Sequence, residues 1–272
     1  MVVNLPKYLN PLTYFRKVER SVARIILWLG VPLRVVVRVD QFSISFIATS
    51  YLEYHLRAKQ GYKREPITVH WILNVIGIDD VVFDIGANVG TYSLLIGKKA
   101  ESGLGMVLAF EPEASNFNAL NKNIVLNQLQ KKIVPYAIAF GDSERATSFF
   151  LSSVTPGSSS HAIDVSESEG KKFVSQHRQG VYVLTIDTFC GEPGVPFPNH
   201  IKIDVDGAEE GIIAGMRDTL ADPRLRTIMV EITEEISCGK VEGMILEHGF
   251  HEEMRQRWEN KNMSNILYIR GQ

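Results

Sequence analysis

Four short stretches hold residues whose types and order could do chemistry. The first is Val81-Val-Phe-Asp84-Ile-Gly86-Ala87-Asn88-Val-Gly90-Thr-Tyr92-Ser93. An apolar run ends in an acid, and glycines follow before a helical pattern begins. Glycine permits unusual backbone angles and lets the chain come close to a ligand. The spacing is neither the G-x-G-x-x-G of dinucleotide sites nor a phosphate loop ending in Gly-Lys-Ser/Thr. A helix N-terminus alone suits a pyrophosphate. Asp84 makes this loop poorer for phosphates and better for a ligand with a cationic amine. S-adenosylmethionine, which carries an ammonium, a sulfonium and no phosphate, fits that description.

The second stretch is Ala-Phe-Glu111-Pro112. A lone acid ending the next apolar run can accept from both ribose hydroxyls, as acids do in nicotinamide sites. It therefore argues for an adenosine ligand rather than for one cofactor. Either acid alone is equally explained as a helix cap or a first-turn acid. At corresponding positions on adjacent strands they point to an adenosine site. The third stretch, Phe140-Gly141-Asp142, gives room near an adenine and an acceptor for its amine; a plain turn explains it nearly as well.

The fourth stretch is Ile201-Lys202-Ile203-Asp204-Val205-Asp206-Gly207-Ala208-Glu209. Strand alternation puts Lys202 and Asp204 on one side, with Asp206 just past the end. Charges in a central strand are costly to bury unpaired, so they pair with each other or face a polar site. Glu209 falls in a helix first turn, where the dipole favours an acid anyway. Asp204 is the expected general base, and His161, in a Ser-rich stretch, is its rival. Asp204, Asp206 or Glu231 could hold a hard cation, but no ligand spacing demands one and no metal is expected.

The elements that must position these residues follow a regular alternation. Strands are expected at 81–85, 106–110, 133–140, 201–205, 227–232 and 266–270. Helices are expected at 90–99, 114–126, 208–216 and 240–249. Strands alternating with helices argue for a parallel sheet covered on both faces, and ligands of such sheets bind beyond the carboxyl ends of the strands. Residues 1–65 read as an accessory region and 66–272 as the catalytic domain. An insertion at about 147–180 is Ser/Gly/Pro-rich and then charged; such a segment is either a lid over the acceptor or disordered. Thr13 to Leu29 reads as an amphipathic basic helix, 34–47 as β-like runs and 50–60 as a short helix.

The 272 residues are 45% hydrophobic and 22% charged, with a mean hydropathy of −0.01. These values exclude a disordered chain, a collagen-like repeat and a membrane bundle. Two cysteines, Cys190 and Cys238, form no CxxC pair. No apolar run approaches the ~20 residues that span a bilayer, and the first six residues lack the charged region of a secretory signal. A cytoplasmic setting is the default. The net charge of −2 is unevenly spread. Residues 1–65 hold eleven Lys or Arg against four acids, a net of +7. The acidic remainder argues against a nucleic-acid partner. The basic helix either packs on the catalytic domain or makes weak contact with a lipid surface.

Taken together, Asp84-x-Gly86-x-Asn88-x-Gly90-x-Tyr92-Ser93, Phe110-Glu111-Pro112, Phe140-Gly141-Asp142, Thr185-Ile186-Asp187 and Lys202-Ile203-Asp204-Val205-Asp206-Gly207-Ala208-Glu209 resemble the FkbM family of S-adenosylmethionine-dependent methyltransferases. The likeness runs over roughly 81–232, with Asn265-Ile-Leu-Tyr as a last strand, and leaves out residues 1–65. It implies a class I methyltransferase fold, a doubly wound, mostly parallel seven-stranded α/β sheet. It also implies O-methylation of a small-molecule hydroxyl acceptor such as a sugar, a glycan or a polyketide. On that resemblance Asp84, Gly86, Asn88 and Gly90 hold the methionine end, Glu111 the ribose and Asp142 the adenine side. Ala87, Tyr92, Pro112, Gly141 and Asp204 complete the expected cofactor set, and Lys202 and Asp204 lie at the active site. Where the family often reads Asp-Val-Glu-Gly, this chain has Asp206 for the glutamate, one methylene shorter. The alternatives are a nicotinamide-dependent oxidoreductase, which lacks its glycine fingerprint here, and a catalytically silent peripheral membrane or adaptor protein that keeps the fold.

Overall fold

The computed structural model describes residues 11–159, 161–164, 167–168, 171–234, 238–258 and 262–271. Ser160, parts of the insertion and the first six residues lie outside them. In chain order come helix α1 (Pro11–Trp28), strands β1 (Leu33–Val39) and β2 (Phe42–Ala48), and a run of helical turns. Those turns are a wide π-type segment Glu53–Gln60, α2 (Gly61–Arg64), α3 (Pro66–His70) and a second wide segment Trp71–Val75. Then follow β3 (Val81–Ile85), α4 (Thr91–Ala100), β4 (Met106–Phe110), α5 (Ala114–Leu126), β5 (Ile133–Tyr136), β6 (Ala139–Phe140), β7 (Arg145–Leu151), β8 (Ala162–Ile163), β9 (Glu167–Ser168), β10 (Lys171–Lys172) and β11 (His177–Leu184). The chain closes with α6 (Ile186–Gly191), β12 (His200–Ile203), α7 (Glu209–Ala214), α8 (Arg217–Ala221), β13 (Thr227–Thr233), α9 (Cys238–Leu246), β14 (Phe250–Arg257) and β15 (Met263–Arg270).

Seven strands form the main sheet in the order β14-β15-β13-β12-β3-β4-β5. The neighbours from β13 to β5 are parallel, and β15 runs antiparallel to both of its neighbours. This is the expected mostly parallel seven-stranded α/β sheet. The apolar runs are uninterrupted because both faces are covered. Val82, Val107 and Ala109 turn to one face with Leu94, Leu95, Leu120 and Ile124. Phe83, Ile85, Leu108 and Phe110 turn to the other with Phe189, Ile212 and Met216. Helix α5 starts where expected because Glu113 caps it, accepting from Ser115 N at 3.0 Å and Asn116 N at 2.6 Å.

Several elements depart from the sequence expectation. The strand expected at 133–140 is two pieces. Residues 133–136 pair with β4, while Ala139–Phe140 leave the main sheet and run parallel to β11. Pro135 lacks an N–H and so suits the edge position that β5 occupies. Strand β14 was not expected: its sequence FHEEMRQR lies at the sheet edge, where charges replace the apolar run. The insertion, expected as a lid or a disordered segment, carries strands of its own. β7 and β11 form an antiparallel hairpin in a second sheet of order β6-β11-β7-β8. The strand around Ile201 stops at Ile203 because Asp206 and Gly207 take φ of +57° and +114°, which no strand tolerates.

The hairpin β1–β2 packs on α4 and α5. Its open edge is satisfied by side chains. Asn127 accepts from Ser45 N (2.9 Å) and donates to Ser45 O (2.7 Å), and Asn123 accepts from Ile47 N (2.9 Å). Asn127 and Ser45 are both buried. Replacing Asn127→Ala leaves a buried donor and acceptor without partners, which costs about 1–3 kcal/mol each. Urea unfolding should therefore show a loss of at least about 2 kcal/mol by that bookkeeping; an unchanged midpoint would mean that the hairpin is not docked on α5.

Candidate active site

The carboxyl ends of β3, β4 and β12 converge. Gly86 follows β3 with φ +81°, and a Cβ there would lie 1.9 Å from the carbonyl oxygen of Asp204. Only glycine lets the end of β3 pass this close to the end of β12. Gly90 (φ +91°) begins α4, and a Cβ on it would lie 2.7 Å from Leu120 Cδ1. Gly86 N and Ala87 N both donate to Phe110 O at 3.0 Å, so the loop after β3 folds onto the end of β4.

Glu111, at the end of β4, locks that loop. Its carboxylate accepts from Asn88 N and Glu113 N, each at 2.8 Å. Glu111 is buried, and burial pushes its carboxyl up to about 8 against those two bonds. Asn88 in turn donates through Nδ2 to Ser158 O (2.8 Å), and Asn116 holds the same segment through Gly157 N (2.8 Å). Arg57 Nε donates to Gly157 O at 2.9 Å. The Ser/Gly part of the insertion is thus tied down over the loop after β3.

Between these ends lies a cavity of about 260 Å³. Its lining combines polar residues, among them Arg57, Asn88, Glu111, Asp204 and Asp206, with apolar ones, among them Phe110, Ile138, Phe140, Phe149 and Ile212. Pro112 and His161 also face it. A narrower cleft continues past Asp204, lined by Arg57, Arg64, Glu65, Asp84, Ala87, Tyr92 and Lys202.

Lys202 sits at the centre of this cleft. It is buried, its Nζ donates to Asp204 Oδ2 at 2.7 Å, and it lies 4.9 Å from the centre of the Tyr92 ring. Burial alone would lower its pKa, but Asp204, Asp84 and Glu65 raise it. Burial alone would raise Asp204, but the Lys202 charge holds it below the usual carboxylate range. Its side chain keeps 27% of its surface open. Burial raises Asp84, which accepts from Ser93 Oγ. Burial also raises Glu65 and Glu231, the latter further through Asp204 and Glu65. Glu209 accepts from Gly207 N with one oxygen (3.0 Å) while the other is buried without a partner, and burial lifts it to about 7.

The structure thus brings together Asp84, Gly86, Ala87, Asn88, Tyr92, Glu111, Pro112, His161, Lys202 and Asp204. It does not bring in Gly141, Asp142 or Gly90. Asp142 is 62% exposed and pairs with Arg145, Gly141 N is used by Leu184 O, and Gly90 acts at the helix start. Arg57, Arg64, Glu65 and Asn116 were not singled out from sequence. They carry no local motif and arrive only through the packing of 53–65 and α5. Among the described residues no group of three or more His, Cys, Asp or Glu is placed to hold a metal.

Residues 84–261 match the methyltransferase FkbM domain. The chain belongs to the FkbM methyltransferase family. It is 26% identical over 226 residues to the hexuronic acid methyltransferase AglP of Haloferax volcanii, covering 79% of this chain and 83% of that protein. It is 27% identical over 192 residues to the 31-O-demethyl-FK506 methyltransferase FkbM of Streptomyces tacrolimicus, covering 63% of this chain and 72% of that one. The crystal structure of methyltransferase FkbM from Methylobacillus flagellatus superposes with a TM-score of 0.51 at 16% identity, over 72% of this chain and 45% of that structure. This chain therefore spans less than half of that longer FkbM protein, and the likeness bears on the fold.

In this FkbM methyltransferase Glu111 has a consequence for stability. A carboxyl whose pKa is about 8 when folded and near 4.5 when unfolded holds a proton in the folded state across that window. The folded state binds more protons there, so ligand-free stability falls as pH rises from about 4.5 to about 8. Unfolding free energies measured across this range should show a shallower slope for Glu111→Gln. The slope is diagnostic rather than the absolute value, because the amide would face one of the two N–H donors. An unchanged slope would contradict the buried, protonated carboxyl.

Proposed function

We propose that the protein transfers the methyl group of S-adenosylmethionine to a hydroxyl oxygen of a small polar acceptor, of the sugar or glycan class. The observation that carries the reading is the set of acids at the ends of β4, β3 and β12 around a cavity lined by both polar and apolar side chains.

The residues fit such a donor. Each oxygen of Glu111 takes one backbone N–H, which leaves lone pairs for ribose hydroxyls. The apolar part of the lining, with Phe140 and Ile212, suits a flat adenine. Asp204 and Asp206 suit a cationic methionine portion and oppose a phosphate. The FkbM relative's name denotes an oxygen acceptor and AglP's an acidic sugar. Arg57 and Arg64 in the cleft place positive charge where an acidic sugar would enter.

When bound, the donor supplies a methyl already activated on a sulfonium. The chain's share is alignment and proton management. Holding an acceptor oxygen ~3–3.5 Å from the reacting carbon can provide ~7–11 kcal/mol. The Gly86–Asn88 loop is fixed for that task by Glu111 and Phe110 O. Asp204 is kept ionised by Lys202 and reaches the cavity, so it can take the hydroxyl proton as the new C–O bond forms. His161 is less suited: Ser152 N donates to its Nδ1 at 3.2 Å, which leaves an N–H at Nε2, near Ser158 Oγ. In that tautomer the Nε2 end donates, and the basic Nδ1 is turned to Ser152.

Methyl transfer from labelled donor, assayed over neutral sugars, uronic acids, polyols, amines and β-dicarbonyl compounds, tests the reading. Asp204→Asn should lower kcat by about 10²–10⁴, the range of general-base effects, and weaken donor binding by a smaller factor, because Asp206 and Glu111 still face the cavity. Undiminished turnover in that variant removes Asp204 as the base. Transfer only to nitrogen or carbon acceptors would contradict O-methylation.

A further inference from the structure

Helix α1 presents its apolar side away from the protein. Among residues 17–28, Ala23 and Leu27 are buried against the protein. Glu19 binds Tyr54 Oη at 2.9 Å and Lys59 at 2.8 Å, and Arg24 lies 4.3 Å from the centre of the Tyr51 ring. Val18, Val22, Ile25 and Leu29 recur at spacings of four, three and four, which is one helix face. On a 100° per residue wheel that face lies well away from Ala23 and Leu27. All four are exposed, Ile25 at 59% and Leu29 at 62%, and Trp28 beside them at 84%. Val31 and Val36, just beyond the helix, are exposed as well.

Basic residues border this stripe. Lys17 and Arg24 lie about a quarter turn from Ile25 around α1, Arg24 also over the Tyr51 ring, Arg20 lies nearly opposite the stripe, and Arg34 and Arg38 are exposed on β1. The one acid of the described helix, Glu19, is already paired with Lys59. An apolar stripe with tryptophan, edged by arginine and lysine, is the pattern of a helix that lies in a membrane interface. Among the described residues no helix is long and apolar enough to cross a membrane. We propose that α1 docks the enzyme on an anionic lipid surface, lying in its plane.

Charge favours lipid over a second copy of this chain. Two copies meeting through this stripe would set arginines of one against arginines of the other, whereas anionic headgroups attract each Lys or Arg near the surface. The placement also ties the surface to the site. Segment Glu53–Gln60 binds α1 through Tyr54 and Lys59 and lines the cavity through Arg57. The catalytic cavity therefore stands one helix away from the docked face, which suits an acceptor carried on a lipid. The docking rests on the helix alone and does not depend on which acceptor the enzyme methylates.

Sedimentation of the full chain with vesicles tests it, using phosphatidylcholine alone and phosphatidylcholine mixed with phosphatidylglycerol. Binding should require phosphatidylglycerol and fall severalfold at high salt. It should weaken by about tenfold or more in a Val22→Asp/Ile25→Asp variant, which loses the apolar contact. The melting temperature of that variant should be unchanged, because both side chains are exposed. Tryptophan emission should shift to the blue on binding, and Trp28→Phe should remove most of the shift, since Trp71 is wholly buried and Trp258 is half-buried with the Arg64 guanidinium over its ring. No binding to the anionic vesicles, or equal binding by the double variant, overturns the proposal. So does a wild-type dimer that the double variant dissociates while neither form binds vesicles; the stripe then belongs to a second copy.

Discussion

A lysine buried in the middle of a parallel sheet sets the terms for everything around it. The ammonium of Lys202 cannot be hydrated there, and an unpaired buried charge is far too costly to keep. Asp204, Asp84 and Glu65 answer it from three separate segments, and Tyr92 offers its ring. Those partners are the end of β12, the end of β3, the junction of α2 and α3, and the start of α4. One ion therefore fixes the relative positions of the elements that build the cleft. It also decides protonation: Asp204 stays ionised, while Asp84, farther into the core and held by Ser93, is raised.

The second constraint is steric and lies one strand over. The 1.9 Å gap that a Cβ on Gly86 would leave to the Asp204 carbonyl shows how closely two strand ends meet. Glu111 then stitches the loop after β3 to the end of β4, and Asn88 and Asn116 stitch both to the insertion. The loop is held before any ligand arrives. Preorganisation of this kind is what alignment-driven catalysis needs, and it explains why polar side chains are buried here at all.

Much of this was legible in the sequence, for identifiable reasons. β3 and β4 announced themselves because strands buried on both faces are continuous apolar runs. The acids Asp84, Glu111 and Asp204 were legible because each directly ends or follows such a run. Other features had no local signal. β14 carries charges at a sheet edge, and β6 is two residues that change sheets. Arg57 and Glu65 reach the cleft by tertiary packing alone, from a segment whose composition reads only as basic. The wide helical turns of 53–75 likewise follow from that packing. Asp142 shows the opposite case: a plausible ligand from its position after an apolar run, it turns outward to Arg145.

We propose that the acids at the ends of adjacent strands, with no phosphate-binding glycine fingerprint, favour a cationic adenosyl donor over a dinucleotide. Calorimetric titration of the unmodified protein with S-adenosylmethionine and, separately, with NAD tests this most directly. The account predicts saturable one-to-one binding of S-adenosylmethionine and no detectable heat from NAD. Tight NAD binding, or no binding of S-adenosylmethionine at millimolar concentration, would contradict it.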